Sequence, residues 1–331
     1  MKAVRLNGNG RPEEVCECVE TEAPGAPGEG EVIVEIIASA INPADLLIFE
    51  GRYPGPDEFP AFVGIEGAGG VRQLGPGVTT LQEGDHVISL GRANWAQQVK
   101  ADAAQFIRIP RALDFRQAAM LKANPPTAHL MLRDYVDLQP DDWVIQNAAN
   151  SAVGRHVIRL AGTRGIKTVN VVRRPGPVKE LKALGGDVVV VDGPDLAERV
   201  RAEIGAEARL PLAIDAICGE ACLRLADCLS DGGTVVNYGF LSGDPCMVTP
   251  HHLIIHGISL TGFWLVGYMR STPRQDIEAM YAEMARSFMH GVLDVPVEAE
   301  YGLDEIGAAL AHAGQEGRGG KVLLTPNGPL P

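Results

Sequence analysis

The apolar positions follow two patterns along the chain. Over residues 1–115 they form short β-branched runs, VIVEIIASAI, GAGGVRQLG, DHVISL and FIRIP, divided by glycine and proline. This spacing predicts a compact, partly antiparallel β-rich domain. From Arg116 helical spacing takes over, with helices predicted over 116–122 and 126–136. Residues 141–174 then read strand, turn, helix, strand: Val144 and Ile145 lead into a small-residue turn, Val153 to Ala161 carry helical spacing, and Thr168 to Val172 form a second β-branched run. Further strands are predicted at 187–191, 212–217, 233–238 and 258–264, with an amphipathic helix at 274–290. The tail gives one helix, a glycine-rich turn and one strand. Strands alternating with helices imply a doubly wound parallel sheet, so the expected fold class is α/β. The expected organisation is a dinucleotide-binding domain over 116–290, inserted into a β-rich domain made of 1–115 and 291–331.

The turn within 141–174 is the first candidate for chemistry. A helix start after a parallel strand offers N–H groups and a favourable dipole to a pyrophosphate. In the usual G-x-G-x-x-G pattern the glycine positions fall here on Ala149, Ser151 and Gly154, so only the last glycine is present. Arg173 follows Gly154 by 19 residues, close to the spacing of the residue that reads the adenosine ribose. An acid there binds a ribose 2′-hydroxyl, whereas Arg173 and Arg174 suit a 2′-phosphate, so NADPH is the expected cofactor. The plainer alternative is a solvated arginine pair after a strand.

Composition narrows the classes. A length of 331 residues leaves room for two domains, and 46% hydrophobic against 21% charged residues describes an ordinary globular chain. A net charge of −13 argues against a nucleic-acid or anionic-membrane binder. The most apolar stretch, His252 to Met269, is interrupted by His256, Gly257, Ser259 and Thr261, so no membrane span is expected. The N-terminus lacks an apolar signal core, which gives a cytoplasmic expectation. Six sparse cysteines are expected as reduced thiols. His252 and His256 have ligand spacing with His251 beside them, but no glutamate stands between them, and they read as capping or packing residues. Cys218, Cys222 and Cys228 lack a second paired cluster and Cys16-x-Cys18 stands alone, so no structural zinc is expected. There is no G-x-S-x-G elbow, and Ser151 reads as a hydroxyl in the phosphate turn.

INPAD at 41–45, VGIEGAGGV at 63–71, EGDHV at 83–87 and GGKVLL at 319–324, with this order of domains, resemble the medium-chain dehydrogenase/reductase superfamily over essentially the whole chain. The resemblance implies a Rossmann-type sheet inserted into a GroES-like catalytic domain. Zinc-dependent members carry a Cys near Asn42, a His at Ile65 before Glu66, and a four-cysteine lobe after 83–90, all missing here, which implies a zinc-free branch. NPPTAHLML (124–132), LQPDDWVIQNAANSAVG (138–154), VNVVRR (169–174), GGTVVNYG (232–239) and LTGFWL (260–265) look most like 2-enoyl thioester reductases of the mitochondrial type.

That resemblance implies NADPH contacts at Asn42, Asn124, Thr127, the turn Asn150, Ser151, Ala152, Val153 and Gly154, the pair Arg173 and Arg174, the segment Tyr238, Gly239, Phe240 and Leu241, the segment Phe263, Trp264 and Leu265, and Lys321. It places the proton-donating tyrosine at Tyr53 in the GRYPG loop. Pro175 stands where the family often has a second arginine. The implied reaction is NADPH-dependent reduction of an enoyl-CoA or enoyl-acyl carrier protein double bond by a homodimer joined through the edge strand near 258–264. A quinone or enone reductase of the same superfamily, and a non-catalytic NADPH-binding sensor, are the alternatives.

Overall fold

A computed structural model describes residues 1–330, which form two compact units. One comprises Met1–Ala123 and the chain from Arg274 onward; the other is Asn124–Pro273. The strands are β1 (Lys2–Leu6), β2 (Cys16–Glu20), β3 (Glu31–Ala40), β4 (Ala61–Phe62), β5 (Ala68–Leu74), β6 (His86–Ser89), β7 (Gln98–Asp102) and β8 (Phe106–Arg108) in the first unit. The second unit holds β9 (Trp143–Gln146), β10 (Lys167–Val172), β11 (Val188–Val191), β12 (Leu212–Asp215), β13 (Thr234–Asn237) and β14 (Ser259–Gly262), after which β15 (Val297–Tyr301) and β16 (Lys321–Leu324) return to the first.

In the first unit the long strand β3 is the hub. It pairs antiparallel with β5, β7 and β16, so Leu323 and Leu324 at the far end of the chain lie opposite Ala40 and Ser39. Its alternate residues Val32, Val34 and Ile36 bury against Val71, Val87 and Phe106. A second core gathers Val4, Leu6, Phe49, Trp95, Leu310 and Val322, with the Phe49 and Trp95 rings edge to face at 5.5 Å. Each such side chain contributes about 1.5–3 kcal/mol by leaving water.

In the second unit all strand pairs are parallel and run in the order β11-β10-β9-β12-β13-β14. The progression reverses between β9 and β12, and in such sheets ligands bind beyond the carboxyl ends of the strands at that reversal. Both faces are covered: Val169 and Val171 pack toward Leu196, Val200 and Cys222, whereas Val172 packs with Ala149, Ile158 and Leu181. This is why these strands are apolar throughout instead of alternating. Among the described residues no helix is long and apolar enough to cross a membrane.

The unit boundaries differ from those drawn on the sequence, since residues 116–123 and the helix Arg274–Met289 belong with the β-rich unit. Side-chain contacts show why. Arg274 donates to the carbonyls of Ala104 and Phe106, Tyr281 donates to the carbonyl of Lys122 at 2.9 Å, and Gln117 exchanges two hydrogen bonds with Val295 at 3.1 and 3.2 Å. Apolar periodicity reveals a helix with a buried face and says nothing of which core receives it. The helix expected over 116–122 is a single turn, Phe115–Ala118, and the next one starts early, at Asn124, because Pro125 and Pro126 fit a first turn that needs no N–H donors.

Candidate active site

The phosphate turn of the second unit is built from β9 outward. Gln146 closes the strand by donating to the carbonyl of Gly154 at 2.9 Å and to Asn170 Oδ1 at 2.8 Å. Asn147 donates to Asp215 Oδ1 at 2.5 Å and accepts from the N–H of Ala216 at 2.8 Å, tying the end of β9 to the end of β12. Ala148 takes a left-handed conformation, φ 47°, and turns the chain. Ser151 caps the helix Ala152–Thr163, its hydroxyl accepting from the N–H of Gly154 at 3.1 Å. A Cβ at Gly154 would stand 2.5 Å from the carbonyl oxygen of Ala149, so the one glycine kept from the usual pattern is the one helix–strand contact demands. The first helical N–H groups, on Ala152 and Val153, precede any intrahelical acceptor and sit at the positive end of the helix dipole. Asn150 is exposed beside them.

Other predicted residues gather at the same ends of the strands. Tyr238 follows β13 and its phenol is hydrogen-bonded to Ser151, with burial raising its pKa. A Cβ at Gly239 would meet the carbonyl oxygen of Ala216 at 2.9 Å, and Leu241 donates to that same carbonyl at 3.1 Å, so Phe240 rides on a turn pressed against the end of β12. Asn237 holds this turn through Asp215 Oδ2 at 2.8 Å and the carbonyl of Gly239 at 2.7 Å. Phe263 lies just beyond β14, edge-on to Tyr135 at 6.4 Å; Trp264 is 43% exposed under the guanidinium of Arg270; Leu265 opens a helix. Arg173 and Arg174 are exposed immediately after β10. Asn124 starts its helix and Thr127 is buried within it.

The first unit holds Tyr53, Asn42 and Lys321. Tyr53 is half-buried on the loop after the helix Pro43–Phe49 and packs on the core around Phe49 and Trp95. Asn42 and Lys321 are joined: the Lys321 ammonium donates to Asn42 Oδ1, and Asn42 Nδ2 donates to Glu66 Oε2 at 2.6 Å. Glu66 also accepts from the N–H of Ala123 at 2.8 Å, and Lys122 donates to the carbonyls of Ile65 and Gly91 at 2.5 and 2.6 Å. Burial is the largest influence on all three shifted groups here, pushing Lys122 and Lys321 down to about 8 and Asp45 up to about 7. Glu66 and Lys122 were not singled out from the sequence, although an acid inside the small apolar run VGIEGAGGV is the signal that marks one of them.

The histidines pair separately, His252 with Asp227 at 2.9 Å and His256 with Asp231 at 2.7 Å, and His252 caps its own helix through Thr249. All six cysteines are free thiols. Cys218 and Cys222 have a further thiol beside them, because the loop after β13 brings Cys246 Sγ to 3.5 Å from Cys218 Sγ.

Residues 28–111 match the alcohol dehydrogenase GroES-like domain and 152–286 the zinc-binding dehydrogenase domain. The chain is 32% identical to the mitochondrial enoyl-[acyl-carrier-protein] reductase of Dictyostelium discoideum, over 98% of this chain and 94% of that protein. It is 38% identical to a protein of the same name from Caenorhabditis elegans, over 84% and 81%. The chain belongs to the enoyl thioester reductases of the medium-chain dehydrogenase/reductase superfamily. Among solved structures, this reductase resembles Escherichia coli quinone oxidoreductase complexed with NADPH, at TM-score 0.89 and 27% identity, covering 98% and 100% of the two chains. It also resembles a mutant form of Etr1p in complex with NADP and crotonyl-CoA, at TM-score 0.83 and 25% identity, covering 98% and 99%.

Two consequences follow for this reductase. The cytoplasmic expectation does not stand, since the matched relatives are mitochondrial enzymes; a missing apolar signal core speaks only to secretion, and mitochondrial import uses amphipathic, arginine-rich segments. A catalytic zinc, which the second domain's name implies, does not fit the residues present at its usual position. Asn42 and Ile65 replace a thiolate and an imidazole, and the ammonium of Lys321 already occupies the Asn42 oxygen.

Proposed function

We propose that the chain reduces the carbon–carbon double bond of a trans-2-enoyl thioester, on CoA or acyl carrier protein, with NADPH as hydride donor and Tyr53 as the acid that protonates Cα. The observation that carries this reading is the turn from Gln146 to Gly154. It keeps the one glycine that packing requires, carries Ala149 and Ser151 at the other two glycine positions, and is held by an Asn147–Asp215 clasp and a Ser151–Tyr238 hydroxyl pair, in a chain 38% identical to an enoyl-[acyl-carrier-protein] reductase.

Bound NADPH supplies a hydride from its nicotinamide. The β-carbon of an unsaturated thioester is electrophilic by conjugation, so the residues need only position the acceptor, stabilise the developing enolate and deliver a proton. No zinc is required for that step. Ala152, Val153 and Gly154, with Asn150 and Ser151, are proposed to hold the pyrophosphate, and Arg173 and Arg174 the 2′-phosphate. Asn124, Thr127, the Tyr238–Leu241 turn and the Phe263–Leu265 segment, with Asn42 and Lys321, complete the proposed cofactor contacts. Tyr53 offers a phenolic O–H on a loop that follows a capped helix. The second reading, a quinone reductase, is favoured by the likeness to the E. coli quinone oxidoreductase.

NADPH oxidation with crotonyl-CoA, beside a simple quinone, separates the two. Turnover of crotonyl-CoA that falls at least about ten-fold in Tyr53→Phe, a loss of ~1.4 kcal/mol of transition-state stabilisation, supports the proposal. Turnover of the quinone alone, indifferent to Tyr53→Phe, overturns it. Full activity after extensive chelation is expected.

A further inference from the structure

Three thiols in the second unit take no part in the proposed reduction, and they stand beside Asp215, the carboxylate that clasps Asn147. Asp215 ends β12, Cys218 and Cys222 stand at the start of the helix Gly219–Cys228, and Cys246 lies on the loop beyond β13. A carboxylate oxygen of Asp215, Cys222 Sγ and Cys246 Sγ all lie within 4.8 Å of one another, and Cys218 Sγ is 3.5 Å from Cys246 Sγ. Around a tetrahedral zinc with bonds of about 2.3 Å to sulfur, neighbouring ligand atoms are about 3.8 Å apart, so a contraction of at most about 1 Å closes Asp215, Cys222 and Cys246 on an ion, with Cys218 Sγ beside Cys246 as the fourth donor.

We propose that Cys218, Cys222, Cys246 and Asp215 form a binding site for one thiophilic divalent cation of the Zn2+ and Cd2+ class.

Three features support it. First, the donor set is soft: three sulfurs and one oxygen select zinc-like ions over magnesium or calcium. Second, Asp215 is held in place by its neighbours, as the outer-shell partners of a ligating carboxylate hold it, with Cys218 N–H also 3.2 Å from Oδ2. Its oxygens accept from Asn147 Nδ2 at 2.5 Å, Asn237 Nδ2 at 2.8 Å and the N–H groups of Ile217 and Cys218 at 3.0 and 3.1 Å. Third, Cys218 is held at φ 72°, ψ −166°, a region almost reserved for glycine that costs of order 1–3 kcal/mol. That conformation sets its sulfur against Cys246 and the carbonyl of Gly239, the latter at 3.2 Å. Cys246 is half-buried and gives the ion its way in. The resulting clasp joins the end of β12, a helix and the loop that follows the Tyr238–Leu241 turn.

The test is titration of the fully reduced whole chain with Cd2+, followed by the ultraviolet charge-transfer absorption of cadmium thiolates and by proton release in weak buffer. The expected result is saturation at one Cd2+ per chain, release of about two or more protons, and competition by Zn2+. The absorption should persist in Cys18→Ser and disappear both in Cys246→Ser and in Cys222→Ser with Cys246→Ser, each variant checked for folding by circular dichroism. No stoichiometric absorption in the wild-type chain overturns the proposal. So does absorption that survives in the double variant, which assigns it to thiols other than Cys222 and Cys246.

Discussion

A methyl group at position 154 would stand 2.5 Å from the carbonyl oxygen of Ala149 and 2.7 Å from its Cα. Neither neighbour can yield, because Ala149 is fully buried and its own N–H donates to Val171 at 3.3 Å. Gly154→Ala is therefore expected to destabilise the chain by about 1–3 kcal/mol and to weaken NADPH binding, both read by denaturant unfolding with and without cofactor. Lys122 gives a residue-scale prediction of a different kind. Burial outweighs the nearby charges of Glu66 and Asp45, which favour the ammonium, and brings it from 10.5 to about 8. Between those values the unfolded chain keeps a proton that the folded chain has released, so folding is favoured as pH rises. The penalty for burying the charge is full below pH 8 and is gone by pH 10.5. Urea unfolding across that interval should show a gain that is smaller by up to about 3 kcal/mol in Lys122→Met, where the share of Lys321, which burial also brings to about 8, remains. An equal gain in the variant would assign the slope to other groups.

At the scale of elements, the ends of β9, β12 and β13 are fastened to one another by amide side chains that converge on Asp215. Asn147→Ala removes a donor to that carboxylate and leaves the N–H of Ala216 without its acceptor. The expected cost is about 2–3 kcal/mol, with a weaker NADPH complex because the turn is freed at its root; unchanged stability would show that water replaces the amide. Arg173→Ala with Arg174→Ala should raise the KM for NADPH by about ten-fold or more, about 1.4 kcal/mol, and leave that for NADH nearly unchanged. Equal effects on both cofactors would return the pair to a solvated loop. The elements themselves were legible from periodicity: the helix expected at 153–161 is Ala152–Thr163, and the strand expected at 168–172 is Lys167–Val172. What the pattern hides is long-range pairing. The buried amides of Gln146 and Asn147 read as turn residues although they tie three strands, and nothing local to Cys246 points to thiols 24 and 28 residues earlier. The helix Arg274–Met289 was found but joined to the wrong core, for the same reason.

For the whole molecule, the six-stranded parallel sheet ends on β14, whose sequence SLTG carries no lysine, proline or bulge to guard its open edge. Three of its four residues are exposed, and large apolar side chains are exposed in the neighbouring sequence, Ile254 at 77%, Ile255 at 64% and Trp264 at 43%. An unguarded edge invites another strand. A two-fold axis would lay β14 antiparallel against its copy, and the two sheets would become one continuous sheet with an isologous interface. The expected mass in solution is thus twice 35.2 kDa, measured by light scattering on a sizing column. Ser259→Glu with Thr261→Glu would set like charges against each other across the axis, where directly opposed charges are destabilising. Both positions are exposed, so the double variant should fold normally and elute as a monomer. A dimer that tolerates four such carboxylates would have to be joined elsewhere on the surface, and a wild-type monomer would leave the edge of β14 guarded by its shortness alone.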